Sequence, residues 1–247
     1  NLEMMRHSLA HLMAAAVLKM VPEARFAIGP AIDNGFYYDF DLPAEALVKA
    51  GLPKAFAPED LPKIEKIIKD LISQKLLFEK KEVEINEAIA EFKNVGQVYK
   101  VELLEDLKKE GEKKVTLYQT GRFLDLCRGP HIADSSQVGA FKLTHLAGAY
   151  WKGDEKNKML TRIYGVAFAS QAELDNYLKM LADAEKRDHR KIGRELGLFH
   201  IDENVGKGLP LWMPKGAVLR QTLERFIEDE ETKRGYMRTY TPVIGSV

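Results

Sequence analysis

Two pairs of side chains with the same spacing constrain this sequence most. The first is His7 and His11 in the run His-Ser-Leu-Ala-His, and the second is Cys127 and His131 in the run Cys-Arg-Gly-Pro-His. Residues four apart lie on one face of a helix, so the first pair presents two imidazoles side by side. The second pair encloses a Gly-Pro step that a regular helix does not tolerate, so a strand followed by a turn must present it. We expect the fold to bring both pairs to one point.

Three imidazoles and one thiol form a donor set that suits tetrahedral zinc. Each group also has an ordinary explanation, since a buried histidine is commonly a hydrogen-bonded core residue and a lone cysteine is commonly inert. The joint pattern uses the single cysteine and three of the six histidines. Asp125 precedes the second pair on the same face of its strand. The other histidines have no such partners and are interpreted as structural or surface residues: His145, His189 and His200.

Length and composition limit the number of domains and the class of protein. At roughly 150 residues per domain, the 247 residues predict two units. The 45% hydrophobic and 30% charged residues exclude a disordered or collagen-like chain. The 37 basic and 37 acidic residues cancel, which neither indicates nor excludes a local nucleic-acid surface. The longest apolar run, 12–18, is too short for a membrane span, and no secretory signal opens the chain, so we expect a cytoplasmic protein.

The pattern predicts an α+β fold with mainly antiparallel strands. The first twenty residues read as a helix with a core stripe and the histidines on the opposite face, lining a cleft. Strand-like runs at 25–32 and 36–42 are joined by Asp33-Asn34-Gly35, which predicts a hairpin. Residues 43–62 read as a loop, followed by helices over 61–77 and 86–92. Further strands are predicted over 83–85, 115–118, 122–127, 142–151 and 159–168.

A capping box of Ser170 and Glu173 predicts the start of a long helix. The far end of this helix is basic and is either a solvated face or a phosphate-contacting patch: Lys186, Arg187, His189, Arg190, Lys191 and Arg194. A helix over 216–233 and a strand ending at Pro242 follow. No dinucleotide fingerprint, phosphate-binding loop or nucleophile elbow occurs, which leaves hydrolytic or metal-assisted chemistry at the His/Cys pairs.

Several blocks of sequence together strongly resemble bacterial threonyl-tRNA synthetase. They lie at 7–11, 27–30, 33–38, 125–131, 148–154, 162–165 and 187–193. The resemblance covers nearly the whole chain, and only 43–60 departs from it, as an enlarged loop. The His-x-x-x-His and Cys-x-x-x-His pairs alone would also fit the editing domains related to alanyl-tRNA synthetase.

The resemblance implies three regions: an editing domain over 1–170, a long linker helix over 171–194, and the first part of a class II catalytic core over 195–247. The core segment would include the first signature motif, which in the family builds the dimer interface. The parent enzyme would join threonine to tRNA(Thr) with ATP, magnesium and a zinc in its synthetic site. The ATP-holding motifs and the ligands of that zinc are absent here, so we expect a fragment that edits but does not charge tRNA.

The resemblance also implies the site residues. The catalytic group would be His7, His11, Lys100, Cys127 and His131, and the substrate-binding group would be Tyr118, Asp125 and Arg128. His7 and Lys100 would orient water and polarise the ester, while His131 and Asp125 hold the terminal adenosine and the amino group. Without the resemblance, Lys100 would be taken for an ordinary exposed lysine.

Three questions stay open on the sequence alone. The ligand set His7, His11, Cys127 and His131 would bind zinc, or the site would work through an ordered water without a tightly held ion. The chain could also be a freestanding deacylase of the alanyl type, although the segment from Arg187 onward would then have no purpose. A non-enzymatic alternative is a tRNA-binding module stabilised by a closed four-ligand zinc.

Overall fold

The computed structural model describes residues 1–206 and 208–242, and the chain divides into two compact units, Asn1–Tyr177 and Leu178–Val247. The helices are α1 (Leu2–Met20), α2 (Ala44–Lys49), α3 (Leu61–Ser73), α4 (Ile85–Asn94), α5 (Val98–Lys109), α6 (Gln171–Lys186), α7 (His189–Glu195) and α8 (Pro214–Lys233). The strands are β1 (Arg25–Phe26), β2 (Ala31–Ile32), β3 (Gly35–Asp41), β4 (Glu79–Glu84), β5 (Lys114–Thr120), β6 (Phe123–Leu126), β7 (Ala140–Tyr150), β8 (Met159–Phe168), β9 (Phe199–Ile201) and β10 (Pro210–Trp212). This mixture of helices and antiparallel sheets confirms the predicted α+β class.

Helix α1 runs through the core of the first unit. The Asn1 side chain caps it by accepting a hydrogen bond from the Glu3 N–H at 3.0 Å. Four of the five residues of the expected core stripe are buried: Leu9, Leu12, Met13 and Ala16. The opposite face is buried as well, since Ala10 and Ala14 have no exposed surface. Both histidines were expected to line a cleft. His7 is half-buried, but His11 is enclosed.

The main sheet has the order β1-β3-β8-β7, with β2 also paired to β3, and every pairing in it is antiparallel. The predicted hairpin is confirmed, because Asp33 and Asn34 separate β2 from β3 and Asn34 takes the left-handed conformation at φ 62°. The run over 25–32 forms two short strands rather than one. Pro30 lies in the interruption and cannot donate to the ladder.

A smaller antiparallel sheet, β4-β5-β6, carries α4 and α5 on one side. Its own apolar cluster consists of Ile85, Ala88, Phe92, Leu104, Val115 and Leu117. Two helices, α2 and α5, were not predicted from the sequence. Helix α2 lies inside the segment interpreted as a loop, and α5 has its helical repeat obscured by the charged residues of 102–110.

The second unit differs from the sequence prediction at two points. One helix was predicted over 171–194, but the chain forms α6 and α7, because the Asp188 carboxylate accepts a hydrogen bond from the Arg190 N–H at 2.8 Å and caps a new helix. No strand forms over 236–242 in the part of the chain that the structure describes. Residues 243–247, the end of the strand-like run, lie outside the described residues.

The start of α6 agrees with its predicted cap, since the Glu173 N–H donates to Ser170 Oγ at 3.3 Å. The Glu173 carboxylate reaches back to the N–H of Ala169 at 3.1 Å. Among the helices described, none has both the length and the apolar character needed to cross a bilayer.

Candidate active site

The two His/Cys pairs converge. Helix α1 supplies His7 and His11, and the loop after β6 supplies Cys127 and His131. Cys127 Sγ lies 3.2 Å from His7 Nε2 and 3.3 Å from His131 Nε2. The His131 ring centroid is 4.3 Å from that of His7 and 4.2 Å from that of His11. One ligand atom from each of the four residues falls within 4.8 Å of the others, as the shared spacing predicted.

The loop after β6 holds its side chains through a left-handed glycine. Gly129 has φ 71°, and its N–H donates to Cys127 Sγ at 3.2 Å. A Cβ atom at this position would overlap the Tyr118 hydroxyl, so only glycine fits beside this tyrosine. The Tyr118 ring in turn contacts His131, with 4.4 Å between centroids. Tyr118 therefore borders the histidines.

A buried carboxylate anchors the other side of the cluster. Asp125 Oδ2 accepts a hydrogen bond from the Tyr38 hydroxyl at 2.7 Å and lies 3.4 Å from His11 Nε2. Its other oxygen forms an ion pair with Lys100 Nζ. Lys100 is 2% exposed, so the interpretation from residue type alone, an ordinary surface lysine, is wrong. Asp125 thus joins strand β6 to α1, β3 and α5.

Burial decides the protonation states of the cluster. Loss of hydration lowers the pKa of His7, lowers that of His11 well below its usual range, and lowers that of His131 to about 2 with help from the two neighbouring imidazoles. Burial also raises the pKa of the Cys127 thiol to about 11. Near neutral pH the site therefore presents three uncharged imidazoles and a protonated thiol, which is a poor nucleophile.

The donor set fits a zinc ion in kind. Three imidazoles and one sulfur are the ligands found in tetrahedral zinc sites. The Nδ1 atom of His11 is buried and has no hydrogen-bond partner among the described residues, which leaves a lone pair or a proton without a partner. The residues present could therefore hold a metal ion, and zinc is compatible with them.

Two openings adjoin the cluster. A cavity of about 290 Å³ is bordered by His7, Pro30, Ala31, Gly129 and Pro130, together with the first residues of the chain. A second, of about 550 Å³, lies against Cys127 and Arg128. Arg128 is exposed and has no polar partner in the described part of the chain, so the structure does not bring it to the His/Cys cluster as it does the other expected residues.

Tyr38 is a buried site residue that sequence reasoning missed. Tyr38 has no exposed surface and holds Asp125 through its hydroxyl. The signal was present in the sequence, because Phe36, Tyr38 and Phe40 alternate along β3 on the core face. A tyrosine between two phenylalanines on a buried face must find a hydrogen-bond partner for its hydroxyl.

Comparisons with known proteins show which family the sequence resembles. Residues 115–164 match the family described as the threonyl and alanyl tRNA synthetase second additional domain. The chain is 48% identical over 246 residues to the threonine–tRNA ligase of Anoxybacillus flavithermus and to threonine–tRNA ligase 1 of Bacillus subtilis. It is 51% identical over 247 residues to the threonine–tRNA ligase of Dehalococcoides mccartyi.

Each of these alignments covers 100% of this chain but only 36% to 40% of the relative. The domain match includes Tyr118, Asp125, Cys127 and His131, four of the residues that the structure brings together. This chain therefore belongs to the bacterial threonyl-tRNA synthetase family and spans only part of the length of these relatives.

Proposed function

We propose that this chain is the editing part of a threonine–tRNA ligase and hydrolyses the ester that joins serine to tRNA(Thr). The observation that carries the proposal is the convergence of His7, His11, Cys127 and His131 beside the buried Lys100–Asp125 pair. Neutral imidazoles next to an ammonium group can activate water and stabilise a developing oxyanion. The cavity of about 290 Å³ at His7 supplies an approach to this cluster.

Such an activity compensates for the small difference in binding between serine and threonine. Serine lacks one methyl group of threonine, and a missing methyl changes binding by only about 1–3 kcal/mol in an apolar pocket. A synthetic site built for threonine therefore also accepts serine. A second site that hydrolyses the wrong ester, and is too small for the extra methyl, removes the error.

The proposed reaction uses this chain's residues in the following way. His7, uncharged because burial lowers its pKa, accepts a proton from a water that attacks the ester carbonyl. The Lys100 ammonium stabilises the negative oxygen of the tetrahedral intermediate. The bond to the ribose oxygen then breaks, and that oxygen takes the proton back from His7. His131 and Asp125 hold the terminal adenosine and the amino group of serine.

Two further side chains contribute to substrate binding in this proposal. Tyr118 forms the wall beside His131, where it limits the room around the seryl group. Arg128 is exposed at the rim of the larger cavity and supplies positive charge for the RNA backbone. The chain would act on tRNA(Thr) in the cytoplasm.

Zinc, where it binds, would be held by His7, His11, Cys127 and His131, and it would supply Lewis-acid polarisation of the ester or of a bound water. The closed set of four donors also favours a second candidate function, a zinc-stabilised tRNA-binding module without catalysis. In a site of that kind the four protein ligands fill the coordination positions of the zinc and leave none for water.

The complete enzyme would join threonine to tRNA(Thr), as the name threonine–tRNA ligase states for the relatives, and it would use ATP. It would use magnesium and a separate zinc in its synthetic site, and it would work as a homodimer. The regions proposed here are an editing domain over 1–170, a linker over 171–194 and the beginning of the catalytic core over 195–247. The editing proposal concerns only the first of these regions.

Replacing one imidazole tests the proposal. His7→Gln should slow the release of serine from Ser-tRNA(Thr) by at least about 100-fold, the usual contribution of a general base. His145→Gln removes an exposed histidine from β7 and is the matched control, with an expected rate equal to that of the original chain. Undiminished hydrolysis by folded His7→Gln protein would refute catalysis by His7, whereas no hydrolysis by the folded original chain would favour the binding module.

A further inference from the structure

Ser8 lies between His7 and His11 on α1 and has no exposed surface. Its hydroxyl oxygen has three partners. It lies 2.8 Å from the carbonyl oxygen of Met4, 3.1 Å from the backbone nitrogen of Ile132, and 3.0 Å from Nδ1 of His131. The three contacts join the helix, the loop after β6 and an imidazole of the site.

The number of protons in these contacts is fixed. A serine hydroxyl has one proton to donate and two lone pairs that accept. The Met4 carbonyl can only accept, so it takes the hydroxyl proton. The Ile132 N–H can only donate, so it occupies one lone pair. The remaining lone pair faces His131, and Nδ1 of His131 must therefore carry a proton to donate.

We infer that Ser8 is a positioning residue that holds His131 in the tautomer protonated at Nδ1, so that its Nε2 atom faces the site as a hydrogen-bond acceptor. A neutral imidazole protonated on one nitrogen has a lone pair on the other. Nε2 of His131 lies 3.3 Å from Cys127 Sγ, inside the cluster. A partner that fixes one ring nitrogen in this way determines what the other can bind.

This tautomer also determines what His131 recognises, a conclusion that rests on the proposed function. An acceptor at Nε2 binds groups that carry protons, and a seryl-adenosine ester offers two kinds: the ammonium group of serine and the hydroxyl groups of serine and ribose. In its resting form, the same nitrogen has no proton to give to the departing ribose oxygen. His131 is then a binding group, and the acid-base step falls to another side chain, which agrees with the role given to His7.

The tautomer can be measured directly. In metal-free protein labelled with ¹⁵N-histidine, correlations between ring nitrogens and ring protons show which nitrogen is protonated, and His131→Gln identifies the signals by their loss. We expect the original chain to show His131 protonated at Nδ1. Ser8→Ala should shift His131 toward the Nε2-protonated form or a mixture. Ser8→Thr, which keeps a hydroxyl, should retain the original tautomer.

Ser135→Ala is the matched control. Ser135 is also fully buried, and among the described residues its hydroxyl hydrogen-bonds only to backbone atoms, at Leu71, Ile72 and Leu76. Its loss removes a buried hydroxyl without touching His131, so the tautomer should not change. In the deacylation assay, Ser8→Ala should raise KM for Ser-tRNA(Thr) about tenfold, as expected for one lost hydrogen bond, and change kcat less.

Two results would overturn the inference: His131 protonated at Nε2 in the original chain, or an unchanged tautomer in folded Ser8→Ala protein. The first needs no variant, so a Ser8→Ala chain that fails to fold does not prevent a decision. A chain that shows the Nδ1-protonated tautomer but hydrolyses no ester would refute the proposed function and leave the role of Ser8 standing. Hydrolysis with the opposite tautomer would do the reverse.

Discussion

Lys100 and Asp125 form an ion pair in the interior of the protein, where each side chain is only 3% exposed. Lys100 comes from α5 and Asp125 from β6, so the pair joins a helix to a strand beside the His/Cys cluster, where Asp125 Oδ2 lies 3.4 Å from His11 Nε2. Removing two charges from water is costly, and a buried pair is tolerated only when each charge keeps its partner. The pair should therefore respond very differently to single and double substitution.

Lys100→Met should lower the free energy of unfolding by about 3–5 kcal/mol, because it leaves the Asp125 carboxylate buried without its counter-charge. Adding Asp125→Asn should recover part of this loss, since the lone charge is then gone. The exposed pair of Lys49 and Glu23 provides a control, and Lys49→Met should leave stability almost unchanged. Denaturant titration of the four proteins decides the matter, and a Lys100→Met protein as stable as the original would contradict the buried pair.

Tyr38→Phe should destabilise the chain by about 1.5–3 kcal/mol, the usual worth of a hydrogen bond to a charged group. It should also slow hydrolysis, because Asp125 would lose the hydroxyl that fixes its orientation. Tyr37→Phe removes a hydroxyl from the next residue, whose side chain lies on the other face of β3 and is only half-buried. Equal effects of the two substitutions on unfolding would show that the bond to Asp125 contributes nothing specific.

Stability should fall as the solution becomes more acidic than about pH 6.5, the ordinary pKa of histidine. Burial lowers the pKa of His7, His11 and His131, so the unfolded chain binds protons that these imidazoles refuse in the folded protein. Each such proton costs about 1.4 kcal/mol of folding stability per pH unit. Thermal unfolding of metal-free protein between pH 7.5 and 5 measures the slope.

His11→Gln should reduce the slope of the fall in stability with acidification, because one buried imidazole with a lowered pKa is gone. His189→Gln, which removes an exposed histidine of α7, is the control and should keep the original slope. A stability that does not change between pH 7.5 and 5 would mean that the three imidazoles are not buried in the neutral form.

Zinc titration of metal-free protein tests the second candidate function, whose closed four-ligand site requires one ion per chain at the cluster. Binding to the folded state alone raises stability by about 2.7 kcal/mol at a free concentration 100 times Kd. Thermal unfolding with and without zinc, together with elemental analysis, tests this expectation. Cys127→Ser should weaken the effect because it removes the only sulfur ligand. Zinc that neither binds nor raises Tm in the original chain would refute the metal site.

The spacing within each His/Cys pair is a local feature of the sequence, and the joint donor set of three imidazoles and one thiol led to the expectation that the two pairs converge. The hairpin at Asp33 and Asn34 and the cap at Ser170 were predictable for the same reason, since a few adjacent residues determine each one. The break between α6 and α7 depends on whether Asp188 caps a helix or stays in one, and the pattern of charges concealed this choice.

Burial was harder to predict, because it depends on elements distant in sequence. Lys100 is enclosed where its side chain reaches Asp125 of β6 and the Tyr38 ring of β3, and no periodicity in the sequence marks it as an inward-facing residue. His11 was expected at a cleft, but it is enclosed, and its ring lies against Phe123, Asp125 and His131. Ser8 escaped notice for a similar reason, since its partner His131 lies on a loop that only the fold brings near.

The central claim is that the cluster around His7 is a hydrolytic site selective for serine. The most direct test compares the release of amino acid from Ser-tRNA(Thr) and Thr-tRNA(Thr), each incubated with the chain under identical conditions. We expect rapid hydrolysis of the seryl ester and little hydrolysis of the threonyl ester above the rate without protein. Equal rates for the two esters, or no release of serine by folded protein, would contradict it.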